Sequence, residues 1–381
     1  MRAGITGSVG FLGANLVRYL YETGLGDLEV VPFYSNRRKN PLTDHLNLPY
    51  EHLDVTSKKD VLSKTRDLDV LFHLAGVVDY SRKQARRTWD VNVLGAKNIF
   101  DSVIHNDIRK LVYISSISVL GTVGVDSCLA DETNGIYKNP GNPISFRDRG
   151  QALAAVEASI HSDYGFLNSS RVPYFDSKLA AYEMATDYYR KFDLPVTVVL
   201  PGTAVGRGDI GFSITRLVYL TYTGRLKFTL PGGTSFVSAE DVAEGIWLSY
   251  LRGKPGHSYI ITGREEENLS YKDFMKLIAE VARTRYNRAV FDRFFAVPAP
   301  VCHTLARVMR LLSIDGQVSE GFILSGSATH KFSHAKASRD LGYLPKHTLD
   351  YAIETCLDFY LRKVMGDRFS DRSFPGSSSG R

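Results

Sequence analysis

The chain has 381 residues, with 47 basic against 41 acidic side chains and a formal net charge of +6 spread along its length rather than gathered in a tail. That length allows roughly two to three domains or one large lobe with an insertion, and the even charge argues against a nucleic-acid-binding surface. Cys128, Cys302 and Cys356 stand far apart in no metal-ligand spacing, and no apolar run reaches the roughly 18 residues of a membrane span, which excludes a disulfide framework, a metal site and a transmembrane helix and favours the cytoplasm.

The first apolar run, residues 2–6, is a predicted strand, and glycines 7, 10 and 13 follow it at once, at the opening of a helix. An N-terminus of small apolar residues resembles a secretion signal, but the exact three-residue spacing of those glycines and Arg18 argue against one. Glycine leaves room for backbone amides to approach a pyrophosphate, and a helix N-terminus adds partial positive charge there. Thr6, Gly7, Gly10, Phe11, Leu12 and Gly13 are therefore candidate cofactor residues.

The second strand, 28–34, runs into the sequence YSNRRK with no acid. An acid at this point binds a ribose 2′-hydroxyl, whereas basic groups accommodate a 2′-phosphate. Ser35, Asn36, Arg37 and Arg38 thus favour NADP(H) over NAD(H), with a solvated basic loop as the alternative. Asp54, followed by Val55, comes after a third strand and is placed to accept from an adenine amino group. Further strands at 70–75 and 110–115 bracket a helix across 86–105. This alternation predicts an α/β fold, a Rossmann doubly wound parallel sheet, with a smaller C-terminal substrate-binding lobe.

Tyr174 opens a run without Gly or Pro, residues 175–193, so a helix places Lys178 one turn below it on the same face. Tyr250 and Lys254 repeat the spacing, but Gly253 and Pro255 end the helix between them. A carbonyl that receives a hydride needs a proton donor at its oxygen. A tyrosine with an ordinary pKa near 10 needs a neighbouring ammonium to favour its phenolate, and Lys178 is the group at hand. Ser115 or Ser116, at the end of the fifth strand, can give the oxygen a second hydrogen bond.

A buried strand follows at 196–200 and another at 258–262, after which the pattern loosens. The expected domains are 1–202, with 235–263 returning to it, as the NADP-binding lobe; 203–234 and 264–345 as the substrate lobe; 346–365 as a C-terminal helix; and 366–381 as a disordered tail. Residues 293–312 are apolar and basic. They read as a core-facing helix of the smaller lobe, with peripheral membrane contact as the lesser alternative.

Taken in order, the segments TGSVGFLG (6–13), LDV (53–55), FHLAG (72–76), VNVLG (91–95), YISSISVLG (113–121), YFDSK (174–178), LPG (200–202), FVSAEDVA (236–243) and 335–345 resemble the extended short-chain dehydrogenase/reductases. That resemblance implies that Ser116 orients the substrate, Tyr174 is the acid/base, Lys178 activates it and binds ribose, and Asn92 holds a relay water. It also implies that Leu74, Ala75 and Gly76 run along the cofactor, that Pro201, Gly202 and Thr203 lie near the nicotinamide, and that the chain forms a homodimer through a four-helix contact. LPGT at 200–203, Gly224 with Arg225, and LPGG at 230–233 look most like the dihydroflavonol-reductase-like branch. One departure is an unusually long connection between Ser116 and Tyr174, with its surplus in 131–170 and a predicted helix across 151–162.

The expected activity is therefore NADP(H)-dependent interconversion of a carbonyl and a secondary alcohol on a moderately apolar small molecule lined by Val78, Tyr80, Arg207, Phe212 and Phe236. A nucleotide-sugar epimerase or dehydratase with retained NAD is the alternative, since Arg207, Arg216 and Arg225 could grip a diphosphate. A non-catalytic NADP sensor is the third reading, opposed by the presence of both Tyr174 and Lys178.

Overall fold

The computed structural model describes residues 1–24, 28–36, 40–123, 129–135, 143–211, 214–315 and 318–364. Its first half alternates β1 (Arg2–Thr6), α1 (Phe11–Glu22), β2 (Glu29–Tyr34), β3 (Glu51–His52), α2 (Lys58–Lys64), β4 (Val70–His73), α3 (Ala85–Trp89), α4 (Gly95–His105), β5 (Lys110–Ile114), α5 (Arg149–Ile160), α6 (Pro173–Phe192) and β6 (Val196–Pro201). The second half continues with β7 (Thr203–Val205), α7 (Ile214–Tyr222), β8 (Phe228–Thr229), β9 (Gly233–Ser238), α8 (Ala239–Arg252), β10 (Ser258–Ile261), β11 (Asn268–Ser270), α9 (Tyr271–Tyr286), β12 (Phe295–Ala296), α10 (Ala299–Leu311), α11 (Glu320–Ser327), β13 (Thr329–His330), α12 (Ala335–Leu341) and α13 (Leu349–Phe359).

Seven parallel strands form one sheet in the order β10-β6-β5-β4-β1-β2-β3. Its central strands are apolar on both faces, as a sheet covered by helices on each side requires. In β5, Leu111 and Tyr113 enter the core beneath α4 and α6, while Val112 and Ile114 enter the opposite core with α1 and α8. The order reverses between β1 and β4, so the C-terminal ends of these strands open a crevice there, which is where ligands of such sheets bind.

A smaller sheet is built around β9, which pairs with β7, β11 and β13. The expected return to the first lobe at residue 235 is therefore displaced: β9 belongs to the smaller sheet, and the chain rejoins the large one only through α8 and β10. All six residues of β9 are buried, so its composition suits either sheet; the pairing Thr203↔Phe236 decides between them. In the long connection α5 spans Arg149–Ile160, two residues earlier than expected, because the Asp148 side chain accepts from Gln151 N and caps it. The tail at 366–381 lies outside the described residues.

Candidate active site

The glycine loop is a cradle with no room for side chains. Gly7 has φ +69°, and a Cβ there would stand 2.7 Å from Ala75 N. A Cβ on Gly13 would stand 2.1 Å from Gly7 O, so the first turn of α1 rests directly on the loop. Gly10 caps α1 without a side chain, which leaves the first-turn amides for an anionic ligand. A cofactor pyrophosphate fits this cradle. Phe11 and Leu12 are half-buried in that turn.

Around the cradle, Thr6 Oγ1 lies 2.8 Å from His73 Nδ1 and accepts from Ala75 N at 3.2 Å, so the first strand fixes the backbone that leaves β4 through Leu74, Ala75 and Gly76. Burial, then the charge of Lys178, pushes the His73 imidazole down to about 3 and keeps it neutral. Ser35 and Asn36 stand exposed at the end of β2; Arg37 and Arg38 lie outside the described residues. Asp54 is exposed and accepts from Thr56 N at 2.9 Å and Thr56 Oγ1 at 2.8 Å, while Val55 packs beneath Gly95. From Pro201 at the end of β6, Gly202 and Thr203 carry the chain from the large sheet to the small one. A Cβ on Gly202 would stand 2.5 Å from Ser235 O, and Thr203 Oγ1 lies 3.0 Å from Thr234 Oγ1.

Pro173 starts α6, a placement suited to its missing N–H, and the helix continues unbroken to Phe192. It presents Tyr174 and Lys178 on one side. Lys178 is 7% exposed, and its Nζ donates to Ile114 O at 3.1 Å, at the end of β5. Burial pushes that ammonium down to about 8. Tyr174 has its phenol pushed up by burial and by the neighbouring Tyr80, with a hydrogen bond to Ser116 opposing the rise. Burial is the largest cause of that rise. Ser116 Oγ accepts from Ser118 Oγ at 3.0 Å and Ser118 N at 3.2 Å, which fixes its direction beside Tyr174.

Asn92 lies in a π-turn, Asp90–Leu94, a widening that often accompanies functional sites. Its Oδ1 accepts from Val77 N at 2.7 Å, and its Nδ2 donates to Val77 O at 3.0 Å and Ser177 Oγ at 2.9 Å. Both ends of the side-chain amide are thus held by the protein, which fixes the orientation of Asn92. A Cβ on Gly76 would lie 3.3 Å from Asn92 Oδ1 and 3.6 Å from Lys178 Nζ, so that glycine opens the space between them. The arrangement can bring a phenol and a hydroxyl to one substrate oxygen with a cation behind them.

Of the expected substrate residues, Tyr80 sets its ring edge-on to Tyr174 at 5.7 Å, and Val78 is exposed. Phe212 lies outside the described residues. Two expectations are corrected. The Arg207 Nε sits 3.0 Å from Glu240 Oε1, a carboxylate only 8% exposed, and Arg207 also donates to Tyr351 Oη at 3.1 Å. A buried carboxylate requires a counter-charge, and Arg207 supplies it together with Arg18 at 3.8 Å, so this guanidinium is directed in part at the protein and not at a cleft. Phe236 is fully buried, stacked on Phe274 at 4.1 Å in the core of the smaller lobe.

Sequence reasoning missed the supporting groups. Ser177 ties Asn92 to the carbonyl of Tyr174, at 2.9 Å on each side, and the ring of Tyr113 lies 5.9 Å from Lys178 Nζ. Their adjacency to the principal residues was a signal, but hydroxyls and tyrosines are common enough that only proximity in space selects them.

Two family models match consecutive parts of the chain: the 3-beta hydroxysteroid dehydrogenase/isomerase family over residues 4–154 and the NAD dependent epimerase/dehydratase family over residues 154–262. The chain is an extended short-chain dehydrogenase/reductase. Among curated relatives of this superfamily of NAD(P)-dependent oxidoreductases, epimerases and dehydratases, it is 26% identical to a 3-beta-hydroxysteroid dehydrogenase of Mycolicibacterium neoaurum, over 93% of this chain and 90% of that one. It is 27% identical to a Synechocystis sp. protein provisionally named dihydroflavonol 4-reductase, over 93% of each chain. The dTDP-glucose 4,6-dehydratase DesIV double mutant of Streptomyces venezuelae superposes with a TM-score of 0.68 at 18% identity, covering 95% and 98% of the two chains, a likeness of fold alone.

Proposed function

We propose that this extended short-chain dehydrogenase/reductase is an NADP(H)-dependent oxidoreductase that interconverts a carbonyl and a secondary alcohol on a moderately apolar substrate. The observation that carries the reading is the cluster of half-buried Tyr174 and Ser116 with the buried Lys178 at the crevice beside the glycine cradle. A bound nicotinamide supplies or accepts the hydride at the carbon. Tyr174 gives its proton to the substrate oxygen in the reductive direction and takes it back in the oxidative one. Ser116 donates a hydrogen bond to the same oxygen, which favours the charge that develops there. Lys178, protonated below about 8, stabilises the phenolate left behind. Burial keeps the phenol protonated at neutral pH, the form a reductase needs.

The names of the relatives support an apolar substrate, and the acid-free end of β2 with Ser35 and Asn36 supports NADP(H). Homodimer formation and a cytoplasmic location belong to the same reading. The test is fluorescence titration with NADPH and with NADH, on protein whose bound nucleotide has been read by mass spectrometry. Empty protein with tighter NADPH binding is the expected result.

Retained NAD⁺ would favour a nucleotide-sugar epimerase or dehydratase. That second reading draws on the family model over residues 154–262 and on 26% identity to CDP-paratose 2-epimerase of Salmonella typhi, over 74% of this chain and 84% of that one. It is weakened by Arg207, whose guanidinium is held by Glu240.

A further inference from the structure

The helix α10 has two apolar sides, and among the described residues only one of them is covered. Cys302, Ala306 and Met309 are buried in the main core. Val301, Leu305, Val308 and Leu312, at helical spacing i, i+4, i+7 and i+11, form a separate stripe that stands 52%, 49%, 42% and 66% exposed. Leu311 beside them is 82% exposed, and Ile314 extends the patch past the helix end. Isolated exposed apolar residues are ordinary in a soluble protein, whereas a contiguous stripe of this kind marks a contact surface.

The charge around the stripe identifies the contact. His303, Arg307 and Arg310 fall on the remaining side of the helix, and residues 293–314 contain three arginines and no acid. Arg310 is directed inward, 3.5 Å from Glu320, and Arg293 and Arg307 are exposed. A second copy of the chain docked face to face would set this basic side against itself, since a two-fold interface pairs each patch with its own copy. An anionic bilayer meets both needs at once: acyl chains receive the apolar stripe and headgroup phosphates receive the arginines.

We propose that α10 and the turn after it form a docking surface for an anionic lipid bilayer, with the helix lying in the plane of the interface. This surface is structurally continuous with the active site. The α10 helix packs on α11, where Ser319 Oγ donates to Tyr80 O at 3.2 Å and a Cβ on Gly321 would stand 2.4 Å from the same oxygen. Tyr80 in turn packs on Tyr174. Docking would hold that side of the site against the lipid, but the proposal rests on the surface and not on the redox reading.

The test is co-sedimentation of the full-length protein with vesicles of phosphatidylcholine and phosphatidylglycerol in equal parts, and with phosphatidylcholine alone. The wild-type chain is expected to pellet with the mixed vesicles and to be released by salt. L305E/V308E should lower partitioning about tenfold or more, because it places two charges where apolar contact is required. Arg307→Ser, which leaves the stripe intact, should cost about fivefold on mixed vesicles only. Circular dichroism melts check that each variant is folded. Wild-type protein left in the supernatant, or L305E/V308E that pellets as well as wild type, would overturn the proposal. So would a dimer in size-exclusion chromatography that V308E splits while vesicle binding is absent, since the stripe would then be an interface between copies.

Discussion

Tyr174 with Lys178, and Tyr250 with Lys254, have the same spacing in the same chain and opposite surroundings. The α6 helix runs through both members of the first pair, so Lys178 arrives one turn below Tyr174, buried, with its Nζ on Ile114 O. The α8 helix ends at Arg252, and Gly253 turns the chain to φ −65°, ψ 135°, so Lys254 leaves the helix and stands exposed. Tyr250 packs on Trp247 and Phe72, with centroids 4.9 and 5.8 Å away. A tyrosine and a lysine four residues apart make a chemical pair only when one helix carries both and its face meets the end of a central strand.

The comparison breaks most sharply on the hydroxyl. Tyr174→Phe is expected to lower kcat for carbonyl reduction with NADPH by about 10²–10⁴-fold, the usual worth of a positioned proton donor, while Tyr250→Phe leaves it unchanged. Steady-state kinetics on both variants decide, and a Tyr174→Phe enzyme with near-normal turnover would remove the proposed donor. Gly13→Ala comes next: its Cβ meets Gly7 O at 2.1 Å, so cofactor affinity in fluorescence titration should fall at least about tenfold and the melting temperature should drop with it.

The lysines sharpen the contrast through pH. With Lys178 pushed down to about 8, the ammonium is lost as pH rises through that value, so kcat/KM should decline about tenfold per unit above it. Lys178→Arg should move that alkaline limb upward at reduced rate, and Lys254→Ala should leave the profile where it is. The smallest effect concerns Asp176, on the opposite side of α6, whose carboxyl accepts from Ser145 N at 2.8 Å and Ser170 Oγ at 2.6 Å. Burial pushes it up to about 6, so the folded chain keeps a proton that the unfolded chain releases near 4. Its contribution is fully present below that lower value and is lost as pH rises to about 6. Between those values stability should therefore fall, by roughly 2–3 kcal/mol at most, and Asp176→Asn should flatten that part of the curve in urea titrations.

How much of this was legible depended on whether a signal was local. The glycine loop, the alternation of strands and helices, and the Tyr174 helix are written in short windows, because a tight turn, a buried strand and an uninterrupted helix each depend on neighbours in sequence. The helix inside the long connection was legible for the same reason, and only its Asp148 cap shifted its start. Phe236 and Arg207 were misplaced because their partners, Phe274 and Glu240, are distant in sequence. Residues 293–312 were legible as amphipathic, but a core-facing reading accounts for only one of the two apolar sides of α10.

The sequence alone determined the fold class, the cradle for a dinucleotide and the pair of residues on one helix face, since each follows from spacing and backbone sterics. Tertiary structure alone decided that β9 belongs to the smaller sheet, that Arg207 is spent on a buried carboxylate, that Ser177 and Ser118 brace the site, and that one side of α10 stays uncovered. Those outcomes depend on which distant surfaces meet, and burial, pairing and desolvation exist only after they have met.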